Sequence, residues 1–183
     1  MDLILSSGDS ASRCGDNKAI PQRGNGFDER FRNAMLDVAG LGYQQVVAIP
    51  IDVLELSVRH LDSAFVALRE SPFVLGPSPD GGVYLIGFRS NEMPRFERIA
   101  WRTGRVFDEL VEVLRNAVVI EPLADVDSLA DLRRLSLRPK LDLELRQLLQ
   151  SLLDPRSFGR NREEQRYLRL ALPLLPARAP PAL

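Results

Sequence analysis

FVLGPSPDGGVYLIGF, residues 73–88, holds two apolar runs around a loop of Gly, Pro, Ser and Asp. Phe73-Val74-Leu75 and Val83-Tyr84-Leu85-Ile86 are rich in β-branched and aromatic residues, which suit a pleated surface, so the stretch reads as two strands. Asp-Gly and Gly-Gly between extended runs are hairpin signals. Gly76, Pro77 and Pro79 nevertheless make the loop longer than a tight hairpin needs, and adjacent glycines let a backbone approach a ligand as readily as they let it turn. Asp80 is read either as turn chemistry or as a carboxylate that accepts hydrogen bonds from a sugar or base, with the amides of Gly81 and Gly82 facing phosphate. The cost of so long a loop for a plain turn favours the second reading.

Working outward, Leu3-Ile4-Leu5 is a short strand candidate followed by the polar loop SSGDSASRCGDNK. From Asp28 the residues Phe31, Ala34, Met35, Val38 and Ala39 recur at helical spacing until Gly40 and Gly42. Val46 to Ile49 is a continuous β-branched run, read as a buried strand, with Asp52 at its C-terminal end. Ser57 to Glu70 is helical by its Val58, Leu61, Ala64, Phe65, Leu68 pattern. Beyond the two strands, Phe107 to Leu114 predicts a helix, Ala117 to Ile120 a strand, Ser128 to Leu135 a helix and Leu141 to Leu153 a leucine-striped terminal helix. This alternation predicts an α/β fold: a three-layer, Rossmann-like arrangement with a mostly parallel mixed sheet. One domain is expected over residues 1–153. Residues 154–183 turn Arg-rich and then Pro/Ala/Leu-rich, a composition that opposes regular structure and predicts a flexible tail.

The whole chain has 183 residues, 45% of them hydrophobic, enough for one ordinary core. Lys+Arg number 24 and Asp+Glu 25, a net charge of -1, so no basic footprint argues for nucleic acid. The single cysteine, Cys14, excludes an intrachain disulfide framework, and the apolar run Val46 to Ile51 is far short of the ~20 residues of a membrane helix. With no signal-peptide pattern at MDLILSSGDS, a cytoplasmic location is the expectation. His60, alone in an apolar-periodic helix, reads as a packing or surface histidine, and Cys14 as inert.

The carboxylates carry the chemistry. In open α/β sheets ligands bind outside the carboxyl ends of strands, which puts Asp52 where reactions usually occur. It reads equally as a ligand of Mg²⁺ or Mn²⁺ opposite a diphosphate leaving group and as the cap of the following turn. Asp125 and Asp127 precede Ser128, which with Asp131 resembles a capping box; helix capping and a second metal ligand are both open there.

QRGNGFDERFRNA, GYQQVVAIPIDVLEL, VLGPSPDGGVYLIGF, AWRTGRVFDEL and PLADVDSLADL resemble, in order and spacing over about residues 20–135, a bacterial family assigned to glycosyltransferases with the GT-A fold of the nucleotide-diphospho-sugar transferases. The resemblance implies a metal-dependent transferase acting on a nucleotide sugar and an undefined acceptor, or a nucleotidyltransferase of the same fold, or a catalytically degenerate scaffold. By it, Asp52 and Asp80 are the catalytic positions and Asp52, Asp127 or Asp125 the ligands of Mg²⁺ or Mn²⁺. Gly81, Gly82, Gln22, Gly24, Arg30, Trp101 and Thr103 become substrate-side positions. The family's first strand and Lys/Arg-bearing loop are expected ahead of the matched region and are not recognised here. GDSASRCGDNK, with Gly8, Arg13, Gly15 and Lys18, resembles instead the nucleotide loop of molybdenum-cofactor guanylyltransferase-like enzymes.

Overall fold

The computed structural model describes residues 2–7, 18–92, 96, 99–139 and 141–153. Gly8, Arg13, Cys14, Gly15 and the 154–183 tail lie outside the described residues. The described residues fall into two compact units: unit 1, drawn from 2–51 and 56–124, and unit 2, drawn from 52–55 and 125–153.

Unit 1 begins with two short strands, β1 (Ile4–Ser7) and β2 (Lys18–Pro21), paired in parallel. The second is absent from the sequence reading, because Ala19-Ile20 is too brief an apolar signal beside Pro21. Helix α1 (Gly26–Gly40) follows, with Asp28 and Glu29 in its first turn, where the helix dipole favours negative charge. Next come β3 (Gln45–Ala48), α2 (Val58–Glu70), β4 (Phe73–Pro77), β5 (Val83–Arg89), a 3₁₀ turn (Ser90–Glu92), α3 (Val106–Val113) and β6 (Val118–Val119). The second sheet has the order β3-β5-β4-β6. β5 is antiparallel to both β3 and β4, while β4 and β6 are parallel. The sheet is therefore mixed: β3, β4 and β6 share one direction and β5 alone is reversed, a consequence of the hairpin that links it to β4.

Period-2 alternation divides the side chains between two faces. Leu75, Ile86 and Phe88 join Ala34 and Met35 of α1 and Val106 and Leu110 of α3 in one buried cluster. On the other face Gly87 lets Leu68 of α2 approach Val74 and Val47; a Cβ there would come within 3.2 Å of Leu68. Helices thus cover both faces, the three-layer arrangement expected. The β4–β5 register shifts between Gly76 and Pro77 and steps past Tyr84. The Tyr84 ring lies against Gly76, where a Cβ would sit 2.5 Å from its Cζ, and its hydroxyl donates to the Glu121 carbonyl at 2.9 Å.

Unit 2 consists of the segment 52–55, α4 (Leu129–Ser136) and α5 (Leu143–Leu153), which pack on each other through a unit that buries Leu135 and Leu149. Asp142 starts α5 by accepting from the backbone N–H groups of Glu144 and Leu145. Glu55 pairs with Arg138, which fastens the 52–55 segment to the turn between α4 and α5. Among the described residues no helix is long and apolar enough to cross a membrane.

Candidate functional site

Three of the carboxylates singled out in the sequence meet inside unit 2. The backbone N–H of Val126 donates to the Asp52 carbonyl at 3.0 Å, so the 52–55 segment runs beside the Asp125-Val126-Asp127 stretch. Asp125 and Asp127 each offer a carboxylate oxygen within 4.8 Å of the other. Asp52 Oδ1 is buried and has no hydrogen-bond partner. A buried acceptor left this way costs free energy unless something satisfies it.

The charges of the cluster act on one another. The pKa of Asp125 is raised by burial, then by the charge of Asp127 and, more weakly, by Asp52 and Asp131. That of Asp127 is raised by burial, then by Asp52 and Asp131. Asp131 itself is committed elsewhere. Ser128 Oγ accepts its backbone N–H at 3.3 Å and donates to its carboxylate at 2.6 Å, and Arg134 pairs with the second carboxylate oxygen at 2.6 Å. Capping therefore explains Ser128 and Asp131, and leaves Asp52, Asp125 and Asp127 as the acids of the cluster that it does not explain.

These three residues fit a divalent cation by their chemistry: hard oxygen donors, mutual repulsion and one buried oxygen without a donor. Acid pairs of this kind in a fold are not themselves a cation site; the orphaned Asp52 oxygen is what singles this one out.

The remaining positions are held by local structure. The hairpin at Asp80 closes through Ser78 N–H to Gly82 carbonyl, 3.0 Å, and Gly81 N–H to Ser78 carbonyl, 3.1 Å, while Asp80 Oδ1 accepts from Gly82 N–H at 3.0 Å. Gly81 has φ +85°, and a Cβ on it would lie 2.0 Å from the Gly104 carbonyl oxygen; its own carbonyl accepts from Phe107 N–H. The glycine thus lets two backbones touch.

Gln22 Nε2 donates to the Ser6 carbonyl, Gly24 lies in the bend before α1, and Arg30 Nε returns to the Gly26 carbonyl of its own helix. Trp101 packs among Phe27, Phe31 and Phe96 with ring centroids 4.9–5.7 Å away, its Nε1 buried without a partner. Thr103 Oγ1 donates to the Ala100 carbonyl and accepts from Arg105 N–H. Lys18 Nζ reaches the Tyr43 hydroxyl at 3.5 Å. His60, read from sequence as packing or surface, is hydrogen-bonded on both ring nitrogens. Its signal was the Ser57-x-x-His60 spacing at a helix start, but the partner of the second nitrogen, Glu121, is 61 residues away.

A model of the bacterial family described as uncharacterized protein conserved in bacteria (DUF2064) matches residues 6–103, more than half of the chain. The chain belongs to that family. The family match takes in Asp52 and the Asp80 hairpin and stops before Asp125. Among solved structures, the chain is similar to a putative nucleotide-diphospho-sugar transferase from Desulfovibrio desulfuricans G20, with a TM-score of 0.70 and 23% identity over 82% of this chain and 73% of that one. At that identity the likeness shows a shared fold. No curated protein matches the chain.

Proposed function

We propose that this protein is a metal-dependent transferase that uses a nucleotide sugar, with Asp52, Asp125 and Asp127 holding Mg²⁺ or Mn²⁺. The observation that carries the reading is the buried, unpartnered Oδ1 of Asp52 among carboxylates whose ionisation is resisted. The solved neighbour of the same fold, named as a putative nucleotide-diphospho-sugar transferase, supports the reaction class. In chain order, Asp52 follows β3 and Asp125 follows β6, the kind of position where open α/β sheets bind ligands.

A divalent cation bound by these carboxylates would neutralise charge on the diphosphate leaving group. The chain's own contribution is to hold the segments that carry the three carboxylates together. The backbone bond from Val126 to Asp52 and the Glu55–Arg138 pair fix the segment that carries Asp52. Asp80 is the proposal's substrate-side carboxylate: Oδ1 shapes the hairpin by accepting from Gly82 N–H, and the charge is what a substrate hydroxyl would use where Asn would supply only the turn.

Thermal unfolding with Mn²⁺ and nucleoside diphosphates or their sugars tests the reading, since a ligand that binds only the folded state must stabilise it. Stabilisation that needs both metal and nucleotide and disappears in Asp52→Asn is the expected result. Absence of any metal-dependent shift across a panel of nucleotides and nucleotide sugars would overturn it.

A further inference from the structure

Unit 1 has a groove of about 260 Å³ lined by Ser57, Arg59, His60, Ser63, Ile120 and Glu121. Within it Ser57 Oγ lies 2.8 Å from His60 Nδ1, and His60 Nε2 lies 2.7 Å from Glu121 Oε1. The Ser57 backbone N–H donates to the same Nδ1 at 3.0 Å, which makes that nitrogen the acceptor and places the ring proton on Nε2, facing the carboxylate. In this tautomer Nδ1 can take the Ser57 hydroxyl proton, and Glu121 can steady the imidazolium that results.

Part of this arrangement caps α2: Ser57 Oγ accepts from the His60 backbone N–H, and His60 answers to the Ser57 backbone. A cap, however, occupies one ring nitrogen only. It does not require a carboxylate on the other, delivered from 61 residues away. The backbone that carries Glu121 is fixed from behind, because the fully buried Tyr84 donates to the Glu121 main-chain carbonyl and the Ile120 N–H donates to the Leu75 carbonyl, while the Glu121 side chain reaches His60 from a largely exposed position. The His60 side chain is 13% exposed, so the ring is confined while the groove beside it is open. The His60 N–H is taken by Ser57, and the amides of Val58 and Arg59 that precede it at the start of α2 are the donors beside Ser57 for a developing oxyanion.

We propose that Ser57, His60 and Glu121 form a nucleophilic serine site that hydrolyses small carboxylic esters, a reaction separate from the transferase reading. Ser57 Oγ attacks the carbonyl carbon as its proton passes to His60 Nδ1. The carbon–oxygen bond to the alcohol then breaks, and the alcohol leaves with that proton. Water repeats the sequence on the acyl-serine, giving its proton to Nδ1, releasing the acid and restoring the Ser57 hydroxyl.

The test uses the full chain with a fluorophosphonate probe, read by intact mass and peptide mapping, beside hydrolysis of p-nitrophenyl acetate. One adduct on Ser57 is expected, formed equally in the presence of a metal chelator. Ser57→Asp keeps the helix cap and should take no adduct. His60→Gln keeps the capping box and should slow labelling and ester hydrolysis by about 100-fold, the lower end for loss of a general base. Folded wild type without an adduct on Ser57, or His60→Gln labelled at the wild-type rate with an unchanged melting temperature, would overturn the proposal.

Discussion

In the hairpin of unit 1 the Asp80 carboxylate accepts from Gly82 N–H two residues on, and the loop's backbone groups pair with Ser78, Gly82 and Phe107. In unit 2 the carboxylate of Asp52 keeps one oxygen buried without a donor, and two further acids beside it resist ionisation. Both are Asp-bearing loops that follow strands in the chain. The first uses one carboxylate oxygen to shape its own turn; the second leaves one buried and unsatisfied, at a cost that a cation would remove. The difference teaches that a functional reading of an acid rests less on its motif than on whether its hydrogen-bond capacity is already used.

The largest effect should come from breaking the first loop. Gly81→Ala forces a side chain into positive φ and against the Gly104 carbonyl, so strain of roughly 1–3 kcal/mol adds to overpacking of similar size. Urea unfolding should show a loss of about 3 kcal/mol or more; a loss below about 1 kcal/mol would mean that the two backbones separate easily.

Asp52→Asn sharpens the other side of the comparison. The metal-free protein should melt at the wild-type temperature or above, because one of three repelling charges is gone. Stabilisation by Mn²⁺ plus nucleotide, about 2.7 kcal/mol at a hundredfold excess over Kd, should vanish. An unchanged shift would make Asp52 a structural residue.

The raised pKa values of Asp125 and Asp127 set a pH dependence with a definite sign. A carboxylate whose folded pKa is raised holds its proton more tightly in the folded chain, so its contribution is favourable below the ordinary value of 3.8 and is lost as pH climbs from there through the raised value. With chelator present, unit 2 should therefore be less stable above this window than within it. Protons compete for the same oxygens, so the Mn²⁺-induced shift should be full at neutral pH and fade as pH falls into the window. Melting curves with and without Mn²⁺ across that range check it; a shift independent of pH would argue against carboxylate ligands.

The smallest change in stability is expected for Asp80→Asn, under about 0.5 kcal/mol, since Asn Oδ1 can accept from Gly82 N–H as Asp does. Its value lies in the binding readout. Loss of roughly 1.5–3 kcal/mol of nucleotide-sugar stabilisation would show the charge in use by the substrate. An equal shift in mutant and wild type leaves Asp80 to the turn.

Much of the fold was legible in the residues. Helical spacing through Phe31, Ala34, Met35 and Val38 located α1, and the apolar runs around Val46, Val74 and Tyr84 located β3, β4 and β5 within a residue or two at most ends. β2 escaped because its two apolar residues carry no period, and its existence depends on pairing with β1. The acids of unit 2 were likewise visible as candidates, but Asp52 lies 73 residues before Asp125, and no local pattern tells which acid will meet which.

By itself the sequence determined the alternation of strands and helices, the faces they bury and the Ser128–Asp131 cap, because each depends on side chains within a few residues of one another. Only the tertiary structure decided that β5 runs against its neighbours, that Gly81 is required by the Gly104 carbonyl and that Asp52 shares its surroundings with Asp125 and Asp127. The same holds for Glu121, which turns a helix-capping histidine into the middle of a hydrogen-bonded relay. The physical reason is one of range: propensity and periodicity act over a turn or a pleat, whereas desolvation, charge repulsion and the loss of a hydrogen-bond partner act on whatever groups the packed chain brings together.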